Sequence, residues 1–585
     1  MAEVQIDAYI IVTDDFHASE YVDDYFKCRE YISGFTGSAG TLVVTENQAG
    51  LWTDGRYFLQ AADQLEGTGI TLMKKGEEDV PTIEEFLGNN MDEGQCIGYD
   101  GRTMNAKYAN SIKEELEGMD ITFVENIDLV GEMWEDRPAF PENPVWELDV
   151  KYAGESRASK LERLREQLKE YGADYHLLAS LDDICWLYNI RGNDIAYTPV
   201  AMCYTIITSV QAILYISENA VNDEIKANLQ ADGITLRPYF QIYEDINGFE
   251  PGRGLLVDPA TTNIAIMNSL PEGLFVCEDT NPTLYMKSIK NEIEIANERE
   301  AHIQDGVAVT KLICWLKNYV GSQDYLNNIE TELSVSDRLL SYRKERPDFV
   351  DQSFAPIIAT GAHGAIVHYE STPETDIPLV HDSFLLMDTG GHYLNGTTDI
   401  TRTIAIGNVS DEMRKHYTAV LKGNLNLAAA KFKYGCTGAG LDYLARNPLW
   451  ELGLDYNHGT GHGVGYLMSV HEGPQRISVY GDNDINFEAG MITSDEPGLY
   501  LEVQYGIRTE NLILCVNREK NSYGQFMGFE TLTMVPFDRD AIDVSMMSDR
   551  EIELLDSYHK KVFENIAPFL EENERQWLAQ VTAPI

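Results

Sequence analysis

The chain has few basic residues and no long apolar run. Its 44 lysines and arginines stand against 95 aspartates and glutamates, a formal net charge of -51 over 585 residues. Such an excess of acid disfavours nucleic acid, itself a polyanion, as a partner. No stretch reaches the length of uncharged apolar sequence that spans a bilayer, and no signal peptide is recognisable at the N-terminus. We therefore expect a cytoplasmic protein that binds neither nucleic acid nor membrane.

Clustered cysteines are also absent. The eight cysteines are scattered, mostly within apolar segments, and none forms a C-x-x-C pair. Neither a disulfide framework nor a cysteine-rich zinc site is compatible with this spacing. The pattern predicts buried free thiols in a reducing compartment.

Two segments of the first half look like one α/β unit present twice. TLVVTENQAGLWTD and YTIITSVQAILYIS align with Thr45 over Thr208 and Trp52 over Tyr215. Upstream of each, a short apolar segment runs into a glycine turn, YISGFTG in one and WLYNIRG in the other. Two copies indicate a duplicated domain rather than a solenoid, which needs three or more repeats. Chance similarity between two β-hairpins is the alternative.

Linker and helix-start signals in the sequence divide the chain into four segments. EDRPAFPENPVWELD, with three prolines in a polar setting, is typical of a linker. The helical spacing of apolar residues in NEIEIANEREAHIQDGVAV opens a third region. Ser548 and Glu551 form a capping box before the last helices. We predict α/β domains over 1–135 and 154–286, a third domain over 287–520 and a C-terminal extension over 521–585.

Four carboxylates occupy the ends of predicted strands in the third segment. SFLLMDTGGHYLNGTTDITRTIAIG reads as two strands, with Asp388 ending the first and Asp399 entering the second. Farther along, Glu496 precedes a Pro-Gly turn and Glu510 lies in an alternating strand. Arg508 shares a strand face with Glu510, either as a structural ion pair or as a group that orients a metal ligand. Singly, such acids are most often solvated turn residues.

Three histidines lie within the short segment NHGTGHGVGYLMSVHEGP. His458 and His462 are four residues apart, but the glycines around them disfavour the helical zinc-protease motif. We expect a loop or strand in which glycine allows close backbone approach. His471 follows, and three histidines this close together indicate a site in a chain that has only 12.

The combined residues resemble a metal-binding set. Four carboxylates and one imidazole form an oxygen-rich group that suits a pair of Mn, Co, Fe or Zn ions better than one structural zinc. The proposed ligands are Asp388, Asp399, His462, Glu496 and Glu510. A metal pair activates water for attack on a carbonyl, so amide hydrolysis is the natural reaction.

Six motifs occur in the order found in one family: MDTGG, TTDITRT, HGTGHG, VHEGP, DEPGLY and GIRTEN. The chain thereby resembles the pita-bread metallopeptidases, and among them the long cytosolic form of the Xaa-Pro aminopeptidases (aminopeptidase P). The resemblance runs nearly end to end and includes SGFTGSAG and WTDGRYF near the N-terminus. It implies an α/β (α+β) protein with two creatinase-like N-terminal domains, a pita-bread catalytic domain and a small helical C-terminal tail.

The resemblance also implies a role for each ligand. Asp388 binds one metal, His462 and Glu496 bind the other, and the remaining pair, Asp399 and Glu510, bridges the two. Manganese is the expected metal, with zinc, cobalt or iron as alternatives. Family members are commonly homodimers, and we expect the same here.

Further residues of the family's site match positions in this chain. His368, in IVHYES, is implied to line the substrate site together with His458 and His471. Glu496 is implied to accept a proton from the attacking water. We place Tyr500 and Arg508 among the substrate-binding residues. The nearby His363 and His392 match no functional position, so we expect their replacement to be mild.

The function implied is a two-metal aminopeptidase that cleaves the bond between a first residue and a penultimate proline. Its partners would be peptides of that kind. Two alternatives remain: a prolidase, which splits Xaa-Pro dipeptides, and a non-catalytic pita-bread scaffold. The duplicated N-terminal region favours the aminopeptidase over the prolidase. The intact set of five ligands argues against a scaffold.

Overall fold

A computed structural model describes residues 1–481 and 484–585. The chain divides into one unit of Met1–Val150 and Glu155–Leu284 and another of Lys151–Gly154 and Tyr285–Ile585. Helices and strands occur throughout both, which confirms the predicted α/β class. Among the helices of the described residues, none combines the length and apolar character needed to cross a membrane.

The first unit contains fourteen strands and twelve helices begin within it. The strands are β1 (Ala8–Val12), β2 (Thr41–Thr45), β3 (Ala49–Thr53), β4 (Thr71–Lys74), β5 (Cys96–Gly98), β6 (Thr122–Val124), β7 (Trp146–Glu147), β8 (Tyr175–Leu178), β9 (Ile190–Arg191), β10 (Cys203–Thr208), β11 (Ala212–Ile216), β12 (Ile234–Arg237), β13 (Gly254–Val257) and β14 (Phe275–Glu278). The α-helices are α1 (Cys28–Ser33), α2 (Phe58–Gln64), α3 (Ile83–Asn90), α4 (Ala106–Glu115), α5 (Leu129–Met133), α6 (Val150–Ala153), α7 (Arg157–Glu170), α8 (Leu181–Tyr188), α9 (Asp223–Ala231), α10 (Ile242–Asp245), α11 (Ile264–Asn268) and α12 (Pro282–Ser288).

The two large sheets of the first unit have the same topology. Their strand orders are β4-β3-β2-β1-β5-β6 and β12-β11-β10-β8-β13-β14. The aligned hairpins close in the same way, since Thr45 N donates to Gln48 O at 2.8 Å and Thr208 N donates to Gln211 O at 2.9 Å. This shared topology confirms the predicted pair of N-terminal α/β domains.

Among its described residues, the second unit contains fourteen further strands and seven further α-helices. The strands are β15 (Phe349–Gln352), β16 (Ile357–Thr360), β17 (Ser383–Thr389), β18 (Gly391–Tyr393), β19 (Gly396–Thr397), β20 (Ile400–Ile406), β21 (Lys431–Lys433), β22 (Gly461–Gly463), β23 (Glu472–Ile477), β24 (Ile492–Asp495), β25 (Gly498–Leu501), β26 (Tyr505–Arg508), β27 (Asn511–Asn521) and β28 (Gly524–Thr531). The α-helices are α13 (Glu292–Val320), α14 (Gln323–Leu326), α15 (Glu332–Lys344), α16 (Asp411–Ala428), α17 (Gly438–Trp450), α18 (Asp549–Ile566) and α19 (Glu572–Val581).

Sheets and long helices of the second unit hold the strands that carry the predicted ligands. β17 pairs antiparallel with β20 over seven residues, and the six-stranded sheet has the order β21-β28-β27-β24-β22-β23. Apolar residues of β17 and β20, such as Leu385 and Ile404, are buried in one cluster with Leu312 of α13. Truncating a buried leucine or isoleucine of this kind to alanine costs about 2–5 kcal/mol, so this packing fixes the strands firmly.

The C-terminal helices begin where the sequence predicts. Ser548 caps α18 and forms the capping box with Glu551. The apolar face of α18 buries Leu555, Val562 and Ile566 in the core of the second unit. A cap of this type contributes about 1 kcal/mol, whereas the buried face contributes several times more.

The eight cysteines are all thiols, as predicted, but only half of them are buried. Cys28, Cys96, Cys277 and Cys436 are partly exposed. Each lies beside a surface turn or at an element end, so its apolar neighbours in sequence do not enclose it.

Candidate metal centre

The pairing of β17 with β20 brings two of the predicted acids together. Asp388 stands opposite Thr401 in the ladder, and Asp399 directly precedes β20. Both carboxylates are buried, and one oxygen of each, Oδ1, has no hydrogen-bond partner among the described residues. Because a buried carboxylate oxygen without a partner is costly, these atoms fit a site that binds a cation.

The remaining predicted ligands converge on the same place. Asp399, His462 and Glu510 offer ligand atoms that all lie within 4.8 Å of one another. His462 Nε2 lies 3.5 Å from Asp399 Oδ2 and 3.6 Å from Glu496 Oε1. The structure therefore brings together the acids and the imidazole that the sequence predicts to share a site.

Two glycines of β22 allow the strand that carries His462 to lie close to its neighbouring strands. A Cβ atom on Gly461 would lie 1.9 Å from the carbonyl oxygen of Ser494, and one on Gly463 would lie 2.1 Å from that of Glu472. Any side chain at these positions would push β22 away from its neighbouring strands. The expectation that His462 lies in an extended, glycine-spaced segment rather than a helix is confirmed.

The electrostatics show a cluster with too much negative charge. Burial, with a smaller contribution from the charge of Asp399, raises the pKa of Asp388 to about 6 against the lowering effect of Arg508. Burial, together with Asp399 and Glu496, also raises the pKa of Glu510 well above its usual value. For His462, burial lowers the pKa, but Asp399 and Glu496 outweigh it and bring the value to about 9. The raised pKa values of Asp388 and Glu510 reflect burial first and repulsion among the acids second, whereas that of His462 reflects its attraction to the acids. A bound cation would offset the cost of gathering these acids.

The residues present fit a pair of divalent cations. The set contains four carboxylates and one imidazole, two buried oxygens lack partners among the described residues, and the charge of Asp399 contributes to the raised pKa values of Asp388 and Glu510. Oxygen-rich sets with one histidine suit hard or borderline cations, which also supply the positive charge that the cluster lacks.

A chain of hydrogen bonds runs from this cluster to His458. Arg508 donates to Asp388 through Nη2 and to the Tyr500 hydroxyl through Nη1, the latter at 2.6 Å. Tyr500 lies 2.8 Å from His458 Nε2, and His458 Nδ1 lies 2.8 Å from the carbonyl oxygen of Gly459. Since a carbonyl only accepts, Nδ1 carries the proton and Nε2 accepts from Tyr500. Burial lowers the pKa of His458, in keeping with a neutral ring.

The segments that carry the two other predicted substrate histidines lie beside the cluster. The ring of His471 meets that of His462 edge-on, with centroids 4.4 Å apart. His368 follows Val367, whose carbonyl oxygen lies 3.5 Å from Arg508 Nη2. These contacts place both histidine segments next to groups of the candidate centre.

His363 and His392, for which the sequence predicts no role, have other partners. His363 Nδ1 lies 3.0 and 3.1 Å from the two carboxylate oxygens of Glu332. His392 is buried and its Nδ1 lies 3.0 Å from Thr397 Oγ1. His392 thus contacts the turn that leads into Asp399.

Two hydroxyl residues of the centre escaped the sequence analysis. Thr401 donates to Glu510 Oε2 at 2.7 Å, and Ser494 donates to Glu496 Oε1 at 3.2 Å. Ser494 also accepts from the backbone N–H of His462 at 2.9 Å. Each stands two residues from a predicted ligand on a strand, so the two-residue period of side-chain direction was the signal that could have revealed them.

Known protein families match almost the whole chain. Residues 1–133 and 136–294 each match a model of the creatinase/prolidase N-terminal domain. Residues 296–517 match metallopeptidase family M24, and residues 525–585 match the C-terminal region of that peptidase family.

Individual relatives match over the full length. Aminopeptidase P2 of Arabidopsis thaliana is 39% identical over 621 aligned positions, which cover 100% of this chain and 86% of the relative. Xaa-Pro aminopeptidase 1 of Dictyostelium discoideum is 37% identical, with coverage of 100% and 95%. The chain belongs to the Xaa-Pro aminopeptidase family. Its catalytic part is thus that of an M24 metallopeptidase.

A solved structure supports the same assignment. The X-prolyl aminopeptidase of Caenorhabditis elegans superposes with a TM-score of 0.93 at 34% identity, covering 99% of this chain and 95% of its own. That protein is described as a cytosolic enzyme with a di-nuclear active site. The fold predicted from the sequence, including both N-terminal domains and the C-terminal tail, is confirmed.

Proposed function

We propose that this protein is a two-metal aminopeptidase that hydrolyses the bond between an N-terminal residue and a penultimate proline. The observation that carries the proposal is the convergence of Asp399, His462 and Glu510, with Glu496 beside His462 and with buried oxygens of Asp388 and Asp399 that have no partner among the described residues. Full-length similarity to Xaa-Pro aminopeptidases supplies the substrate class.

The ligand roles form part of the proposal. Asp388 would hold one cation, His462 and Glu496 the other, while Asp399 and Glu510 would contact both. When bound, the pair would polarise a carbonyl oxygen and acidify a water molecule. Manganese is the metal we propose, and titration of metal-free protein with manganese, zinc, cobalt and iron would rank the alternatives.

The protein's own groups would carry the proton. Among the described residues, Ser494 is the one side chain that donates a hydrogen bond to Glu496, and the carboxylate of Glu496 is partly exposed. We propose that Glu496 takes the proton from the attacking water and returns it to the proline nitrogen as the bond breaks. His471 and His368 would steady the substrate carbonyl.

Selectivity for proline follows from the missing N–H. Proline has no backbone donor and its ring fixes φ near -65°, so a shaped wall serves better at this position than a hydrogen-bond acceptor. Both ring nitrogens of His458 are engaged, with Gly459 and Tyr500. We propose that His458 offers its ring face to the proline, and that the substrate's free amine binds beside Asp388.

Four peptides test the proposal. Ala-Pro-Ala should release alanine, Ala-Ala-Ala should be cut at least roughly a hundredfold more slowly, and N-acetylated Ala-Pro-Ala should be inert. Comparable rates for the first two would indicate a broad aminopeptidase. Cleavage of the acetylated peptide would contradict amine binding, and exclusive cleavage of the dipeptide Ala-Pro would indicate a prolidase.

The assembly and location are also proposals. We propose a homodimer, which sedimentation of the purified protein would test, and a cytoplasmic location, like that described for the Caenorhabditis elegans protein. The exposed Tyr443 and Trp450 on α17, with rings 5.8 Å apart, give the second unit an apolar surface suited to a partner.

The domain boundaries remain as proposed, at 1–135, 154–286, 287–520 and 521–585. The last boundary falls at the turn between β27 and β28, where Tyr523 is 78% exposed. Limited proteolysis should cut in the exposed parts of 136–153 before it cuts within any of the four segments.

A further inference from the structure

A buried group of three charges lies next to the segment that runs from His462 in β22 to His471, the residue before β23. Lys290 Nζ lies 2.7 Å from Glu472 Oε1, and Lys287 Nζ lies 2.8 Å from Glu472 Oε2. The three side chains are at most 4% exposed. Burial alone would raise the pKa of Glu472, but the two ammonium groups hold it below its usual value. Glu472 is therefore a carboxylate that both lysines grip.

Lys290 joins this group to the segment that follows His462. Its ammonium also donates to the carbonyl oxygen of Val464 at 2.6 Å. Val464 comes two residues after His462, and Glu472 comes one residue after His471. One ammonium group thus joins the two ends of the segment between the two histidines.

The segment itself has little freedom of its own. The N–H of Gly465 donates to the carbonyl oxygen of Ser469 at 3.0 Å, and a Cβ on Gly465 would lie 2.6 Å from Met468 Cβ. This tight turn closes the middle of the segment. Lys290 closes its ends, beside the contact between the rings of His462 and His471.

The backbone of Lys290 is itself anchored. Its N–H donates to the carbonyl oxygen of Gly490 at 3.0 Å, and the neighbouring Ile289 forms a β-bridge with Met491. The next residue, Asn291, caps the long helix α13. The ammonium group therefore has a fixed origin, which a clamp requires.

We propose that Lys290 is a positioning residue, whose ammonium group fixes the distance between His471 and the ligand His462 by holding Val464 and Glu472 together. The proposal rests on the proposed function, in which His462 holds a metal and His471 contacts the substrate. Lys290 touches neither substrate nor metal, and acts through the two histidines.

Two substitutions with the same effect on charge separate this role from simple ion pairing. Lys290→Met and Lys287→Met each remove one of the two ammonium groups and leave one lysine for Glu472, so both change the charge of the group by the same amount. Only Lys290→Met removes the donor to Val464. We expect Lys290→Met to lower kcat on Ala-Pro-Ala about 10- to 100-fold while two metal ions remain bound. Lys287→Met should stay within roughly threefold of the original protein because the clamp is intact.

A double-mutant cycle tests whether the effect passes through His471. In a His471→Ala background, Lys290→Met should cost much less than it does alone, because the group that it positions is already gone. Equal losses in the two lysine variants, additive losses in the cycle, or loss of metal from Lys290→Met would each overturn the proposal.

A measurement without catalysis keeps the proposal separate from the proposed function. Hydrogen exchange of the metal-free protein should speed up across residues 464–472 in Lys290→Met but not in Lys287→Met. Unchanged exchange in both would contradict the clamp even if the enzyme has another substrate. If Lys290→Met does not fold, Glu472→Asp keeps all three charges and withdraws the carboxylate. It should lower kcat about tenfold with metal retained, and an unchanged kcat would overturn the proposal.

Discussion

Two buried carboxylates close together in the second unit, Asp305 and Asp399, have opposite surroundings. Asp305 accepts hydrogen bonds from Arg343 at 2.7 and 3.0 Å and from the hydroxyls of Tyr393 and Thr398 at 3.0 and 2.6 Å. Burial alone would raise its pKa, but Arg343 holds the pKa of Asp305 below its usual value. The protein itself supplies the counter-charge at this position.

The surroundings of Asp399 do not neutralise its charge in this way. One of its oxygens is buried without a partner among the described residues, and it raises the pKa values of Asp388 and Glu510. The difference teaches how to distinguish a structural acid from a metal ligand. A buried acid with a guanidinium holds the fold together, whereas a cluster of acids in excess over protein cations calls for a cation from outside.

Removing Asp399 should have the largest effect on activity. We expect Asp399→Ala to lower kcat/KM about a thousandfold or more, because a carboxylate proposed to contact both cations is lost. In the absence of metal, the variant should be at least as stable as the original protein, since one repelling charge has gone. Near-normal metal content and turnover would show that the bridging role is wrong.

Removing Arg343 should have the largest effect on stability. At neutral pH, Arg343→Met should lower the free energy of unfolding by about 3–5 kcal/mol, because Asp305 remains buried without its counter-charge. Denaturant unfolding of the metal-free protein and of the variant at several pH values would measure this loss of stability.

The loss of stability in Arg343→Met should depend on pH. In the original protein the pKa of Asp305 is lowered, so its contribution to stability is present above the unfolded pKa and is lost as the pH falls through the folded value. In Arg343→Met the pKa of Asp305 should be raised. The buried carboxyl of the folded variant then takes up a proton as the pH falls, which removes the unpaired charge and restores part of the free energy of unfolding. The deficit should therefore shrink toward pH 4–5, and a constant deficit would contradict the account.

The histidines near the cluster test how far its influence extends. His458→Ala or His471→Ala should lower turnover by roughly a hundredfold or more while both metal ions remain bound. Steady-state kinetics and metal analysis of the same preparation would check this. Loss of metal from either variant would move that histidine into the ligand set.

The smallest effects should come from the histidines with partners outside the ligand set. His363→Ala should leave turnover within roughly a few-fold, and His392→Ala should do the same at a cost of about 1 kcal/mol in stability, from the lost bond to Thr397. A hundredfold loss of turnover in either would mean that the site is larger than the five proposed ligands and their neighbours.

The sequence predicted the local features of the fold well and the links between distant segments poorly. The duplicated domains, the strand ends at Asp388 and Asp399 and the cap at Ser548 were all visible, because each depends on a short pattern. The contact of Arg343 with Asp305 joins two helices through side chains, and no sequence periodicity predicts such a contact.

The same limit applies to the candidate site. The motifs identified the convergent acids and histidines, yet the path from Arg508 through Tyr500 to His458 depends on the crossing of separate strands. Lys290 lies one residue before the segment in which the sequence shows helical spacing. Its contacts with Val464 and Glu472 span a long stretch of sequence and could not be predicted from residue types.

Titration of the metal-free protein with Mn²⁺, with hydrolysis of Ala-Pro-Ala followed at each addition, tests the central claim most directly. The account predicts no turnover without metal and a rise that ends at two equivalents per chain, since the acid cluster is proposed to hold a pair of cations. Full turnover of the metal-free protein, or no turnover at any metal content, would contradict it.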